Sequence, residues 1–426
     1  MRKILIIIIA VAFSCNLWSQ KSLEDIRHDN NLAASNYLAY PSPTQKLTPA
    51  PEGKKPFYIS HYGRHGSRYL IDRKDYYSPL EILQKAADND KLTEKGREVL
   101  RKVRLMCSES DNRYGELTEL GSQQHREIAH RMYERFPEVF KNDVAVDAKS
   151  TVVIRCILSM ESELQELLTL NPKLKIKHDA SEHDMYYMNF SDDVLKEKRS
   201  NDATRAYLDD WSKENINPTR VMAKIFNDDD YVRKHVKSRN LYTDLFDLAC
   251  ILQNSELRKQ FSLYDIFDER DIYTLWQRNN IGWFCEFGSC ELNGGTQPFT
   301  QRNLLRKMIT ETDSCLTLKT PGATLRFGHE TMVLPLTCLL NINGYGNMLH
   351  PSKLEENHWY NYKIFPMGCN IQFIFYRKNI SDKDVWVKVL LNEEEATLPI
   401  KPVQGPYYRW SEVRKYYNDK LDSYKP

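Results

Sequence analysis

The sequence predicts an α/β fold split by an inserted, mostly helical domain. Three observations point to it. Phe57–Tyr69 reads as a buried strand that Gly63 and Gly66 break into a turn. Ala323–Phe327 is a second strand, and Gly328-His329-Glu330-Thr331 turns it into an apolar helix, Met332–Leu340. Between these corners, residues 171–315 carry many charges and helix formers, with Trp211, Tyr242, Phe246, Trp276 and Trp283 spaced as helix anchors. The expected division is a signal at 1–19, a body in two parts at 20–170 and 316–426, and a helical insert at 171–315.

A chain of 426 residues has room for two domains, and 41% hydrophobic with 28% charged residues is an ordinary globular composition. The formal net charge of +2 gives no global field for nucleic acid or an anionic membrane. An anion site must therefore be a local cluster.

Arg2 and Lys3 precede an apolar run, Ile4–Phe13, that is too short to span a membrane comfortably. Ser14–Gln20 turns polar, which predicts a secretion signal cleaved near Ser19-Gln20 and a periplasmic protein. Lipid attachment at Cys15 is the minor alternative, because Ala12-Phe13-Ser14 makes a poor lipobox. No later segment reads as transmembrane. The cysteines beyond the signal form no Cys-x-x-Cys pair, which argues against a zinc ribbon. Cys285 and Cys290 are near enough in sequence to bridge a local loop after export. Cys156, Cys338 and Cys369 read as small buried hydrophobes.

Residues 21–56 are polar and proline-rich, and read as an irregular arm packed over the body. Tyr76–Ala87 and Lys91–Cys107 read as helices, the second capped by Thr93. Leu117-Thr118-Glu119-Leu120-Gly121 opens a helix to about Phe136, with Ile128, Met132 and Tyr133 on its apolar face. His125 within it reads as a packing residue. Val144–Val146 is a short strand, and Lys149-Ser150-Thr151 leads into a helix, Val152–Leu170. His178-Asp179 and Glu182-His183-Asp184 fit no ligand spacing and read as polar loop. Cys369–Tyr376 and Val385–Leu391 alternate and pair as a hairpin, and Trp410–Leu421 closes the chain as a helix.

The first corner carries Arg64, His65 and Arg68. Arginine forks match phosphate oxygens bidentately. Histidine can act as a covalent nucleophile, and neighbouring cations help to keep it neutral. A helix starting directly after the loop would add N–H donors for the same anion. The plain alternative is a solvated basic loop. The second corner argues against that, since strand ends of an open α/β sheet converge on a ligand. It adds His329 and Glu330. Arg155, among apolar neighbours at a third strand-to-helix junction, points to burial against a partner. Cations around one phosphoryl group, with one carboxyl beside it, suit metal-free phosphoryl transfer. Glu330 would protonate the leaving alkoxide and then activate water. An unperturbed Glu titrates near about 4.3, so activity is expected at acid pH. No phosphate-binding P-loop or two-metal carboxylate site is present, so no cofactor and no metal are expected.

Tyr58–Tyr69 resembles the Arg-His-Gly-x-Arg loop of the histidine acid phosphatases, the branch that includes phytases and multiple inositol polyphosphate phosphatases. Leu117-Thr118-x-x-Gly121-x-x-Gln124 resembles the family's helix opening, and Ser150–Ser159 its second arginine segment. Pro366–Tyr376 resembles the strand that follows the second histidine. The resemblance spans both ends of the chain and is thin across 171–315. It implies a phosphoglycerate-mutase-like three-layer α/β/α body with a helical insert that supplies substrate contacts. It implies His65 as nucleophile, Glu330 as proton donor, and Arg64, Arg68, Arg155 and His329 as phosphate ligands. Many members carry His-Asp at the second site and the inositol polyphosphate group His-Ala-Glu, whereas this chain has His329-Glu330-Thr331. Glu330 thus takes the aspartate position with one more methylene.

The expected function is a secreted phosphomonoesterase acting through phosphohistidine on inositol polyphosphates such as phytate. The partner is a small phosphate ester, with no nucleic acid and no stable membrane span. The rivals are a broad acid phosphatase for sugar phosphates or nucleotides, and a non-catalytic phosphate-binding protein. The last would need no donor, and both histidines and Glu330 argue against it.

Overall fold

β1 (Lys55–Arg64) is the strand around which the sheet is arranged. Tyr58 through Arg64 are buried without alternation, as expected where both faces are covered. In this computed structural model, which describes residues 21–199 and 201–425, β1 lies between β4 (Gly322–Gly328) and β5 (Asn370–Arg377). The signal segment and Cys15 lie outside the described residues. The sheet order is β3-β2-β4-β1-β5-β6-β7, where β2 is Ala145–Ser150, β3 Lys175–Ala180, β6 Trp386–Leu391 and β7 Glu394–Ala396. A two-residue β8 (Tyr408–Arg409) also pairs with β6. β1 to β4 run parallel, and β5 and β6 are antiparallel to their neighbours.

Helices cover both faces. α1 (Arg73–Asp88) and α2 (Glu94–Ser110) precede α3 (Glu119–Arg135) and α4 (Ile154–Leu170). On one face, Ile128 and Met132 of α3 and Met160 and Leu164 of α4 share a core with Ile59, Val146, Leu325 and Ile374. Two later helices are α5 (Ser238–Leu252) and α6 (Glu269–Phe287). α7 (Arg302–Leu316), α8 (Glu330–Leu339) and α9 (Trp410–Ser423) cover the other face, packing on Tyr58, Tyr62, Phe373 and Val389. The body is therefore three-layered, α/β/α, as expected. A third core joins α1 and α2 to α5 and α6, through Leu83, Val99, Leu245 and Trp276.

Local chemistry explains the starts. Thr93 and Thr118 cap α2 and α3 by accepting from Gly96 N and Gly121 N. Two segments differ from the sequence reading. Residues 21–28 are helical and Asn30–Tyr37 forms a 3-10 turn capped by Asp29, so the arm is irregular only from about residue 38. His178 and Asp179 lie on strand β3, not in a loop. β3 pairs with β2 alone, and its outer lysine and histidine side chains suit an exposed edge strand.

Cys156, Cys338 and Cys369 are buried. Cys285 and Cys290 are thiols with Sγ atoms 3.9 Å apart. Among the described residues, no helix is long and apolar enough to cross a membrane.

Candidate active site

Register brings the corners together. Arg64, the last residue of β1, pairs with Gly328, the last of β4. His65 N donates to Gly328 O at 3.0 Å, and Thr151 N, just past β2, donates to Phe327 O at 3.0 Å. The three carboxyl ends of β1, β4 and β2 thus present residues 64–68, 329–330 and 151–155 at one edge, the position where parallel sheets bind ligands. All six residues singled out from sequence, Arg64, His65, Arg68, Arg155, His329 and Glu330, converge there.

His65 is 1% exposed. Its Nδ1 lies 2.8 Å from Gly66 O. A carbonyl only accepts, so Nδ1 carries the proton and Nε2 is left with a lone pair. Nε2 is buried without a hydrogen-bond partner. Burial, then Arg64, Arg68, Arg155 and His329, push the imidazole well below its ordinary pKa. The ring is neutral and its free nitrogen is aimed into the site. The His329 ring stands edge-on to it at 5.7 Å, and burial with Arg155 and Arg64 outweighs Glu330 to lower His329 to about 4. Thr151 Oγ1 lies 3.3 Å from His329 Nε2.

Glu330 opens α8. Its Oε1 is 2.9 Å from Arg64 Nη2, an ion pair without hydrogen-bond alignment, and its Oε2 is 3.8 Å from His65 Nε2. Burial alone would raise this carboxyl, but Arg64, Arg68 and His329 outweigh it and hold it at about 2. In the free site Glu330 is a carboxylate.

Arg64 is fully buried, and its Nη1 donates to Asn36 O at 2.7 Å and Phe365 O at 3.1 Å. Arg68 donates to Tyr69 O and lies over the Tyr37 ring at 5.6 Å. Arg155 is half-buried and reaches Gly115 O at 3.4 Å. The Nε atoms of Arg64, Arg68 and Arg155 have no hydrogen-bond partner. Buried, unpartnered guanidinium N–H groups around one point suit a tetrahedral anion.

The loop itself is held from behind. Gly66 N donates to Ser159 Oγ and Ser67 N to Gln124 Oε1, at 3.1 and 2.9 Å. No helix starts directly after the loop; α1 begins at Arg73. The backbone donors expected to serve the anion are instead committed to these side chains. His125, read as a packing residue, is buried with Nδ1 2.8 Å from Glu163 Oε1.

His65, His329 and Glu330 offer ligand atoms within 4.8 Å of one another. Arg64, Arg68 and Arg155 flank that cluster, and their field opposes a cation and favours an anion. Asn36, Tyr37 and the Phe365 carbonyl were not found from sequence. All three meet the arginines through main-chain oxygens or a ring face, which leave no motif.

The sequence profile of the histidine phosphatase superfamily (branch 2) matches residues 63–392, so the chain belongs to that family. Solved structures agree with this fold. A Bifidobacterium longum multiple inositol polyphosphate phosphatase in complex with inositol hexasulfate aligns with TM-score 0.77, at 18% identity, over 90% of this chain and 97% of that one. The phytase from D. castellii aligns with TM-score 0.67, at 13% identity, over 92% and 85%. The Hafnia alvei phytase apo form gives 0.51, at 14% identity, over 87% and 98%. No curated protein sequence matches.

Proposed function

We propose that the chain is an exported, metal-independent phosphomonoesterase that works through a phosphohistidine, with inositol polyphosphates as substrates. The observation that carries this reading is His65 Nε2: buried, neutral, unpartnered, surrounded by arginines, and facing Glu330 Oε2.

In the first step, the Nε2 lone pair attacks phosphorus and the P–O bond to the leaving group breaks. Arg64, Arg68, Arg155 and His329 hold the phosphoryl oxygens. The departing oxygen takes a proton from Glu330. That proton arrives with the ester, whose second pKa is about 6, because the free carboxyl is ionised. In the second step, Glu330 takes a proton from water as the water oxygen attacks phosphorus. The P–N bond breaks and His65 is restored; the proton passes from Glu330 to the departing phosphate, which leaves the carboxyl ionised again.

The polyphosphate reading draws support from a cleft of about 250 Å³ beside α8. Thr331 and Met332, the two residues after Glu330, line it together with Lys196 and Arg199 of the short insert helix Asp193–Arg199. Arg199 stacks on Phe287 at 5.1 Å. Two cations in the cleft that the residues after Glu330 also line suit a second phosphate on the same ring. The structural neighbours named for inositol polyphosphate and phytate hydrolysis point the same way.

Phosphate release from phytate and from p-nitrophenyl phosphate, with chelator present, tests the proposal. Release from both, abolished by His65→Ala, is expected. Replacing Lys196 and Arg199 together by Ala should raise KM for phytate roughly tenfold and leave p-nitrophenyl phosphate unchanged. Chelator-sensitive release, or full activity in His65→Ala, would overturn the mechanism. Equal KM changes for both esters would overturn the substrate class.

A further inference from the structure

We propose that Asn36 is a positioning residue for Glu330: it fixes which carboxyl oxygen carries the proton to the leaving group. The proposal rests on the donor role given to Glu330 above.

Asn36 follows a residue in a conformation that L residues seldom adopt. Ser35 has φ 56° and ψ −123° and is 1% exposed. Such backbone is costly and persists only where its surroundings over-determine it, commonly at functional sites. Here they do. Ser35 Oγ accepts from Asn361 Nδ2 at 2.9 Å, and Asn361 Oδ1 accepts from Trp276 Nε1 of α6 at 2.9 Å. Asn361 N also donates to Asn280 Oδ1 of α6 at 2.9 Å. On the far side, Tyr37 O accepts from Asn254 Nδ2 at 2.7 Å, and Asn254 Oδ1 accepts from Ser67 Oγ at 2.6 Å. The segment is latched to α6 before Asn36 and to the His65 loop after it.

Asn36 is thereby presented to two charged groups of the site, Arg64 and Glu330. Its carbonyl accepts from Arg64 Nη1 at 2.7 Å, and its Nδ2 donates to Glu330 Oε1 at 3.5 Å. Arg64 Nη2 sits at the same Oε1, at 2.9 Å. A guanidinium and a neutral amide N–H therefore converge on Oε1. Oε2 faces His65 Nε2 at 3.8 Å. An oxygen that faces a guanidinium and accepts from an amide is the poorer proton acceptor, so the proton resides on Oε2, beside the reacting phosphorus. Without the Asn36 amide, the carboxyl is free to turn and present the wrong oxygen.

The test compares kcat and KM for two esters. p-Nitrophenolate departs without needing a proton, whereas the alkoxide of glycerol 2-phosphate needs one. Asn36→Ala should lower kcat for glycerol 2-phosphate roughly tenfold or more, with KM unchanged, and spare p-nitrophenyl phosphate. Asn36→Leu keeps the bulk, loses the donor and adds no charge, and should behave as Asn36→Ala does; its melting temperature shows that it folds. Glu330→Gln is run alongside. A leaving-group-dependent loss in Glu330→Gln, with none in either Asn36 variant, would overturn this inference alone. No such loss in Glu330→Gln would overturn the donor reading beneath it. Equal losses on both esters in the Asn36 variants would show that Asn36 acts on folding or phosphate binding, and would also overturn the inference.

Discussion

Glu330, the proposed proton donor, is ionised in the free site, and its neighbours explain why. Burial raises the carboxyl, but Arg64 and Arg68 outweigh burial and hold it at about 2. His65 is neutral across the same range. The free enzyme therefore binds no catalytic proton between about pH 4 and neutrality, and the ester monoanion must bring it. kcat/KM for an alkyl phosphate should be flat at acid pH and fall tenfold per unit above about pH 6, where the ester loses its second proton. A profile that instead falls through about pH 4 would assign the proton to the free carboxyl. At this scale the sequence was informative where chemistry is concentrated. Arg64, His65 and Arg68 share one loop, and His329-Glu330 another. Asn36 was illegible because its contribution depends on a strained turn at Ser35 and on partners some three hundred residues away.

The corners are the elements that make this site, and one contact between them is unusually close. A Cβ on Gly121 would lie 2.2 Å from Ser67 O, and one on Gly66 would lie 2.4 Å from Gly121 O. The His65 loop and the first turn of α3 thus touch backbone to backbone. Thr118 Oγ1 and Gln124 Oε1 on that turn also bond Ser67. Gly121→Ala should destabilise by about 1–3 kcal/mol and lower kcat, as read by thermal unfolding and turnover. Unchanged values for both would show that the loop yields freely. The strands and helices of the body were legible because their apolar periods are strong. β3 was not: its Lys-Ile-Lys-His pattern carries one apolar residue, and only the register with β2 makes it a strand. The helix at 21–28 was obscured for the same reason, since its packing partners lie in α6 and beyond residue 350.

At the scale of the whole molecule, the site is built on buried neutral histidines, and this links folding to pH. Burial and His125 lower His61 to about 3, His329 sits at about 4, and His65 is lowered as well. An unfolded chain protonates these rings below about pH 6.5. Folded pKa values below unfolded ones mean stability that is fully present above pH 6.5 and is lost as pH falls toward about 4. Glu330 extends the loss in the same direction, from about 4.5 down to about 2. Each unit of difference is worth about 1.4 kcal/mol per group. The denaturant midpoint should therefore fall between pH 7 and pH 4.5, and bound phosphate should offset part of the fall. A midpoint that rises on acidification would contradict the burial of these rings. The core shared by α1, α2, α5 and α6 shows why residues 171–315 were legible only as helical. α1 and α2 pack with α5 and α6, a pairing set by shape rather than by any local pattern.

In the proposed mechanism His65 carries the phosphoryl group. The most direct measurement is rapid acid-free denaturing quench of the enzyme with radiolabelled alkyl phosphate, followed by peptide mapping. A base-stable, acid-labile label on the peptide containing His65 is expected, formed in a burst of about one per site, and absent in His65→Ala. Steady turnover without labelled enzyme, or label on another residue, would contradict it.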